Sequence, residues 1–407
     1  MFSLVALLAE ALVVVSTFLT LVVAAHTALL LSVDRWNVGR AVQAAARGSA
    51  KVSIVIAAKN EASVLPGTLQ NIIGAGYPSE DVEVVLVLDH RDEETIEACA
   101  PYAGKVRILR SEGDSKPQAL NHALREVHSD FLLLLDADSI IERGAVASLL
   151  SMMGDGVAAV SGDPYPTNLG QGVLPELFSL ECALYSELSS AKQRLGLFVQ
   201  APGFYSLMRR SSVLDAGGWR EDSLAEDYYI SLRLYTRGGR ILVSESRVGI
   251  QAPARLSSFV RQRLRWYRGT MDVLASGLGD VFRAGPKKGT DLVVSMLAAV
   301  VPGLFPFAVL GLAFWPLTFA VLLLFIVAFQ VVGAAFSTKG VPAGTRASIV
   351  ALTFPYFLLQ SLISLVALLT FIFRIKLPWM RTEKSGTGEV PAGTGRTKES
   401  VSLERQG

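Results

Sequence analysis

The feature that most restricts this chain is where its apolar residues lie. Residues 3–33 (SLVALLAEALVVVSTFLTLVVAAHTALLLSV) carry one acid, Glu10, and no lysine or arginine. About 20 apolar residues suffice for a helix to cross a bilayer, so this run is long enough to span one. A cleaved leader would have a basic start and a shorter apolar core; the run reads as a retained anchor. Arg35, Arg40, Arg47 and Lys51 follow it, which predicts a cytoplasmic region from there and an outside N-terminus. Apolar character returns in TDLVVSMLAAVVPGLFPFAVLG (290–311), FWPLTFAVLLLFIVAFQVVGAAF (314–336) and ASIVALTFPYFLLQSLISLVALLTFIF (347–373). Pro302, Pro306 and Pro355 are kink points of a kind membrane helices tolerate. Three crossings after a cytoplasmic domain put the C-terminus outside, whereas Arg374, Lys376, Arg381 and Lys384 favour the inside. Either one segment is re-entrant or the charge rule fails here.

These runs divide the chain into an N-terminal membrane helix (1–33), a linker (34–50), a soluble domain (51–250), a basic aromatic helical region (251–288), about three membrane segments (289–373) and a polar tail (374–407). The tail, rich in Gly, Ser and Thr, is expected to be disordered. With 407 residues, 51% of them hydrophobic, and a mean hydropathy of +0.42, the chain is too apolar for an ordinary soluble enzyme. A net charge of +2 gives no footing for nucleic acid. Cys99 and Cys182 lack zinc-site spacing and read as buried thiols. Within 51–250, VSIVIA (52–57), VEVVLVL (82–88), KVRIL (105–109) and FLLLL (131–135) read as strands, with helical segments around 62–73, 93–98 and 118–127 between them. That alternation predicts an α/β domain with a mostly parallel sheet. No G-x-G-x-x-G follows the first strand, so a dinucleotide fingerprint is missing.

Ligands of such sheets bind at the carboxyl ends of the strands, where Lys59, Asp89, Asp136 and Asp138 fall. Asp136-Ala137-Asp138 ends a fully apolar strand, and two unpaired carboxylates there are costly without a cation. They read either as a Mg²⁺ or Mn²⁺ clamp on a diphosphate or as a solvated strand end. Asp89 in LDHRDEE and Glu61 in KNEASV are placed to meet a base or ribose, while Asp92 and Glu93 suit a helix cap. Lys116, just before a helix, suits phosphate. Glu226-Asp227 follows a Gly217-Gly218-Trp219 turn and reads as an acidic helix start or as a general base at Asp227. Gln262, Arg265, Trp266 and Gly269 share one helical face. Arg261, Arg263, Arg265 and Arg268, interleaved with Phe259, Leu264, Trp266 and Tyr267, also suit an interfacial amphipathic helix on an anionic membrane.

Taken in order, K-N-E, Asp89, D-A-D, A-E-D and Q-R-L-R-W resemble the membrane-integrated family-2 glycosyltransferases, which include polysaccharide synthases and lipid glycosyltransferases. The resemblance covers about residues 51–275. It implies a GT-A nucleotide-sugar domain inserted between transmembrane helices and working with inversion. Asp89 would contact the base side of the donor, with Lys59, Glu61, Lys116 and Asp136 also facing it. Asp138 and Asp136 would hold the metal, with Asp138 the direct ligand. Asp227 would be the base, and Gln262, Arg265 and Trp266 would hold the diphosphate and border the acceptor. Trp379 to Lys384 is similar to the gating element of polymer synthases. The expected activity is transfer from GDP-mannose or a UDP-hexose to a hydroxyl of a lipid or lipid-linked glycan, on the cytoplasmic side of the cell membrane, with no obligatory protein partner. The scarcity of asparagine, compatible with a hot habitat, and family breadth set GDP-mannose first. A processive polysaccharide synthase is the nearest alternative. A metal-dependent membrane phosphotransferase and a non-catalytic export protein stand further off.

Overall fold

A computed structural model describes residues 2–32, 50–76, 80–309, 316 and 343–377. Almost all of the 314–336 segment, the 34–50 linker up to residue 49, the tail beyond 377 and Trp379 to Lys384 lie outside the described residues. Eight strands form one sheet: β1 (Val52–Ala58), β2 (Val82–Asp89), β3 (Arg107–Ser111), β4 (Phe131–Leu135), β5 (Ile140–Ile141), β6 (Val157–Pro166), β7 (Tyr205–Arg209) and β8 (Arg240–Ile250). Their order is β3-β2-β1-β4-β7-β6-β8-β5.

The first four strands are parallel, so the sheet half that the sequence describes well is parallel throughout. Beyond β4 the sheet is mixed. β7 runs antiparallel to β4 and β6, β8 is parallel to β6, and β5 is antiparallel to β8. The expectation of a mostly parallel sheet therefore holds for the first half only. Strands β6 and β8 carry Gly, Pro and charged residues that weaken a strand pattern, which is why the sequence did not announce them.

The apolar runs of β1, β2 and β4 follow from burial on both faces. Ile54, Ile56 and Leu86 pack with Leu65, Leu69 and Ile72 of α2 (Leu65–Gly74) on one side. Val55, Val85, Leu132 and Leu134 pack with Ala119, Leu120 and Ala123 of α4 (Lys116–Glu126) on the other. Helix α3 (Glu93–Cys99) starts at Asp92, whose side chain accepts from the Thr95 amide, so Asp92 is a cap as its sequence position suggested. Cys99 and Cys182 are buried and free, and burial pushes the Cys99 thiol up to about 11. Helices α5 (Ala145–Leu150), α6 (Val173–Leu195), α7 (Arg210–Ala216) and α8 (Glu226–Thr236) complete the domain.

Among the described residues three helices contain stretches long and apolar enough to cross a membrane: α1 (Phe2–Ser32), α10 (Pro286–Val309) and α11 (Ala343–Ile372), with windows at Glu10–Ser32, Pro286–Phe307 and Ile349–Ile372. Helix α1 buries Val13, Ser16, Thr20 and Leu30 while Val14, Val15, Phe18 and Leu29 face outward. Small residues on the packed side let membrane helices approach closely. Helices α10 and α11 continue through Pro302, Pro306 and Pro355. A Cβ on Gly303 would lie 2.8 Å from the backbone of Ser364 and Leu365, and Ser364 Oγ donates to Ala299 O at 2.7 Å.

Between sheet and membrane helices runs α9 (Leu256–Arg283), one continuous helix. Gly269 lets it press against the chain just before α8: a Cβ there would meet Ala225 Cβ and N at 2.8 Å. Gly279, on the same helix, has nothing within 4 Å. Gly269→Ala should therefore destabilise the protein by about 1–3 kcal/mol through overpacking. Gly279→Ala should stabilise it by about 0.5–1 kcal/mol through helix propensity. Denaturation midpoints of the two variants in one detergent check the opposite signs.

Candidate functional site

The carboxyl ends of β1, β2, β3 and β4 open together on a cavity of about 520 Å³. At its sheet end sits Asp89, the last residue of β2 and nearly fully buried. Arg91 grips it, Nε to Oδ1 and Nη2 to Oδ2 both at 3.0 Å, and Lys59 Nζ lies 2.6 Å from Oδ2. Asp114 closes the cluster against Arg91 and, at 3.6 Å, Lys59. The Arg91 guanidinium, working against burial and helped by Lys59, holds the Asp89 carboxyl far below the usual carboxylate range. The turn after β1 places Asn60 at a φ of 57°, which asparagine tolerates. It carries the buried Glu61 to the cavity wall, its amide donating to Thr95 Oγ1 at 2.9 Å.

Ser115 and Gln118 form a capping box at the start of α4. This fixes Lys116 as the helix's first residue, reaching across the cavity. Its Nζ is 2.5 Å from Asp136 Oδ1, 3.8 Å from Glu226 Oε1 and 3.5 Å from Gly203 O. Burial by itself would lower its pKa, but Asp136, Glu226 and Asp227 outweigh that and raise it.

Asp136-Ala137-Asp138 lies on a turn after β4 rather than on the strand, so its two carboxylates do not share a strand face. Asp136 lines the cavity. Asp138, 6% exposed, is outside the lining, and its Oδ2 accepts from the Gln251 amide at 3.0 Å. Among the described residues no group of three or more His, Cys, Asp or Glu side chains is arranged so that it could hold a metal ion without a ligand from elsewhere.

Glycines 217 and 218, both at positive φ, turn the chain toward α8. Glu226 and Asp227 are the first two residues of α8. Glu226 is buried, and burial pushes its carboxyl up against the pull of Lys116. Asp227 is half-buried and faces the cavity. Gln200 Nε2 and the Gly203 amide each donate to its Oδ2 at 3.2 Å, and the Tyr228 amide donates to Oδ1 at 2.8 Å. Gln200, Gly203, Arg91 and Asp114 escaped the sequence reading. Only the Pro202-Gly203 turn and the closeness of Arg91 to Asp89 in sequence hinted at them.

Gln262, Arg265 and Trp266 of α9 form the opposite wall. Arg265 Nη1 donates to Leu224 O at 3.2 Å, tying α9 to the segment that delivers Asp227. The basic-face reading of this helix needs correction. Arg263 is 2% exposed, and Arg268 is mostly buried against Asp272 and Phe371. Arg263 pairs with Glu181 of α6 and lies under Trp266, with its guanidinium carbon 4.2 Å from the ring. Glu181 also accepts from Tyr356 and, at 2.7 Å, from Gln360, both on α11. Arg263 and Arg268 turn inward because the carboxylates of Glu181 and Asp272 and the rings of Trp266 and Phe371 are there to meet them.

Of the residues singled out from the sequence, Lys59, Glu61, Asp89, Lys116, Asp136, Asp227, Gln262, Arg265 and Trp266 line this one cavity; Asp138 does not. Carboxylates face the cationic Lys59, Lys116 and Arg265 across this cavity, beside a hydrogen-bonded Asp227.

Residues 49–269 match a family model described as glycosyltransferase like family 2. The probable glycosyltransferase YdaM of Bacillus subtilis (strain 168) is 28% identical over 249 residues, 58% of this chain and 59% of the relative. The poly-beta-1,6-N-acetyl-D-glucosamine synthase of Staphylococcus aureus is 26% identical over 266 residues, 64% of this chain and 63% of the relative. The chain thus spans about three fifths of the length of these curated relatives. The mannosyltransferase PcManGT from Pyrobaculum calidifontis, solved in complex with GDP-Man and Mn2+, superposes with a TM-score of 0.64 at 19% identity, covering 90% of this chain and 100% of that one. That likeness shows the GT-A-like fold. The matched span takes in every strand of the sheet together with Gln262, Arg265 and Trp266, and the chain belongs to glycosyltransferase family 2, a family of transferases.

Proposed function

We propose that this protein moves a hexose from a nucleotide sugar to a hydroxyl of a lipid or lipid-linked saccharide, inverting the anomeric carbon. The observation that carries this reading is Asp227. Its carboxylate is presented to the same cavity as Asp89, Asp136 and Lys116, at the start of a helix and against the wall formed by Arg265. The acceptor oxygen attacks the anomeric carbon as its proton passes to Asp227, and the bond to the diphosphate breaks with its electron pair leaving on the nucleoside diphosphate. One displacement inverts configuration, and it needs no second carboxylate beneath the sugar. The base side of the donor lies toward Asp89, Lys59 and Glu61. Lys116, Gln262 and Arg265 hold the diphosphate, and Trp266 borders the acceptor.

A divalent cation fits this site. The carboxylate of Asp136 already draws an ammonium to 2.5 Å, and a hard cation here would be held by Asp136, with phosphate oxygens and water completing its shell; Asp138, turned onto the Gln251 amide outside the cavity lining, would have to rotate to join it. Bound there, Mg²⁺ or Mn²⁺ would supply Lewis-acid stabilisation of the departing diphosphate. GDP-Man and Mn2+, named with the fold neighbour, make that donor the first to try. The Staphylococcus aureus relative keeps a processive polysaccharide synthase as a second reading, one that chain length of the product decides. We place the domain on the cytoplasmic side of the cell membrane, where nucleotide sugars are made, in line with the basic residues after the first span.

Incubating the protein in its native lipids with GDP-mannose, UDP-glucose or UDP-N-acetylglucosamine should release one nucleoside diphosphate in step with glycosylated lipid. Chelation should cut the rate by about 10² or more. No diphosphate from any donor, or full turnover in excess chelator, would overturn the donor and metal assignments respectively.

Arg265 and Arg261 separate chemistry from simple charge. Arg265→Lys should lower the rate about tenfold or more, because an ammonium cannot copy a guanidinium held to Leu224 O and facing phosphate. Arg261→Lys should stay within about twofold. Initial rates per folded protein in one lipid mixture check the contrast, and equal mild effects would return both arginines to a charge-only role.

A further inference from the structure

The cavity continues past Asp227 toward the membrane helices. A second cavity of about 190 Å³ adjoins it, and the two share Tyr185, Gln200, Tyr228, Ser295 and Ala298 as walls. Gln200 is also the residue that donates to Asp227 Oδ2. The outer walls are Val23, Thr27 and Leu30 of α1 and Val294 of α10, from two helices long enough to cross a bilayer. The second cavity thus lies between two helices long enough to cross a bilayer and the wall that carries Gln200, the partner of the candidate base.

The charges along this route select what can travel it. His26 and Lys192 are the basic side chains of the second cavity's lining, and both are turned onto Asp291. His26 Nε2 is 3.2 Å and Lys192 Nζ 3.4 Å from Asp291 Oδ1, while Oδ2 accepts from the Phe198 amide at 3.0 Å. Lys192 further donates to Ser295 Oγ. The positive charge beside the passage is therefore matched by a buried carboxylate. In the first cavity, seven lining carboxylates face three lining cations, Lys59, Lys116 and Arg265, with Arg91 behind Asp89 and Asp114 and Arg263 behind Glu181; the carboxylates still outnumber the cations, and the donor diphosphate draws on the lining ones. An acceptor with its own phosphate would enter an acidic chamber and bring a nucleophile already ionised near neutral pH, for which a base is superfluous. A hydroxyl acceptor meets no such repulsion and needs Asp227.

We propose that the second cavity seats the apolar chain of a neutral, hydroxyl-headed lipid and delivers its hydroxyl past Gln200 to Asp227. The proposal rests on the transferase reading above and narrows its acceptor to uncharged lipids.

The test uses the full chain reconstituted in phosphatidylcholine vesicles carrying either the neutral or the acidic lipid fraction of the source membranes, separated on an anion exchanger. Each is supplied with sugar-labelled donor and Mn²⁺. Label should accumulate in lipids of the neutral fraction. Thr27→Trp, which fills the passage, should lower that transfer by about tenfold or more. Leu29→Trp, on the outward side of the same helix, should stay within about twofold of the parent. Val23→Phe is a milder obstruction should Thr27→Trp fold poorly, and donor affinity by calorimetry reports folding for each variant. Equal transfer by the obstructed variants and Leu29→Trp would overturn the passage. Label confined to the acidic fraction would overturn the neutral head group. Donor turnover missing altogether would instead overturn the transferase reading itself.

Discussion

A buried ammonium among three carboxylates, Lys116 beside Asp136, Glu226 and Asp227, ties together segments that meet nowhere else in the sequence. It stands at the start of α4 because a capping box puts it there, and it reaches the end of β4, the loop at Gly203 and the start of α8. Removing one partner from such a buried ionic set leaves an uncompensated charge and costs about 3–5 kcal/mol. The end of β4 and the start of α8, which carries the candidate base, are thus held in register by one charge. The same arrangement keeps a cation poised at Asp136, where a metal-bound diphosphate would place one.

A second polar knot joins this site to the membrane. Glu181 receives Arg263 from α9 and Tyr356 and Gln360 from α11, and Tyr267 donates to Gln360 at 2.6 Å. Polar groups this buried are costly unless satisfied, and satisfied they fix one arrangement. Trp266 rests on Arg263, so this wall of the cavity is set by a helix that also packs on α11, and the cavity and the candidate membrane helices are joined through one polar cluster.

The parallel half of the sheet was legible because strands buried on both faces must be continuously apolar, as in VEVVLVL and FLLLL. The candidate site was legible where a polar residue interrupts such a run: Lys59, Asp89 and Asp136 all stand at strand ends. Strands β6, β7 and β8 were not, since their Gly, Pro, Ser and Arg residues break the pattern. Nor were Gln200, Gly203 and Glu181, whose roles arise only from tertiary contact. Arg263 shows the limit most clearly. Its surroundings in sequence match an interfacial helix, yet a carboxylate eighty-two positions away draws it inward. The turn at Asp136 to Asp138 could not be told from a strand end by spacing, because the two differ in backbone direction and not in residue type.

The central claim is that Asp227 takes the acceptor's proton. Its most direct test is Asp227→Asn, a change that keeps shape and hydrogen-bonding capacity while removing the basic carboxylate. The account predicts donor affinity by calorimetry within about twofold of the parent, together with turnover reduced by about 10²–10⁴. Turnover within a few-fold of the parent, at unchanged donor affinity, would contradict it.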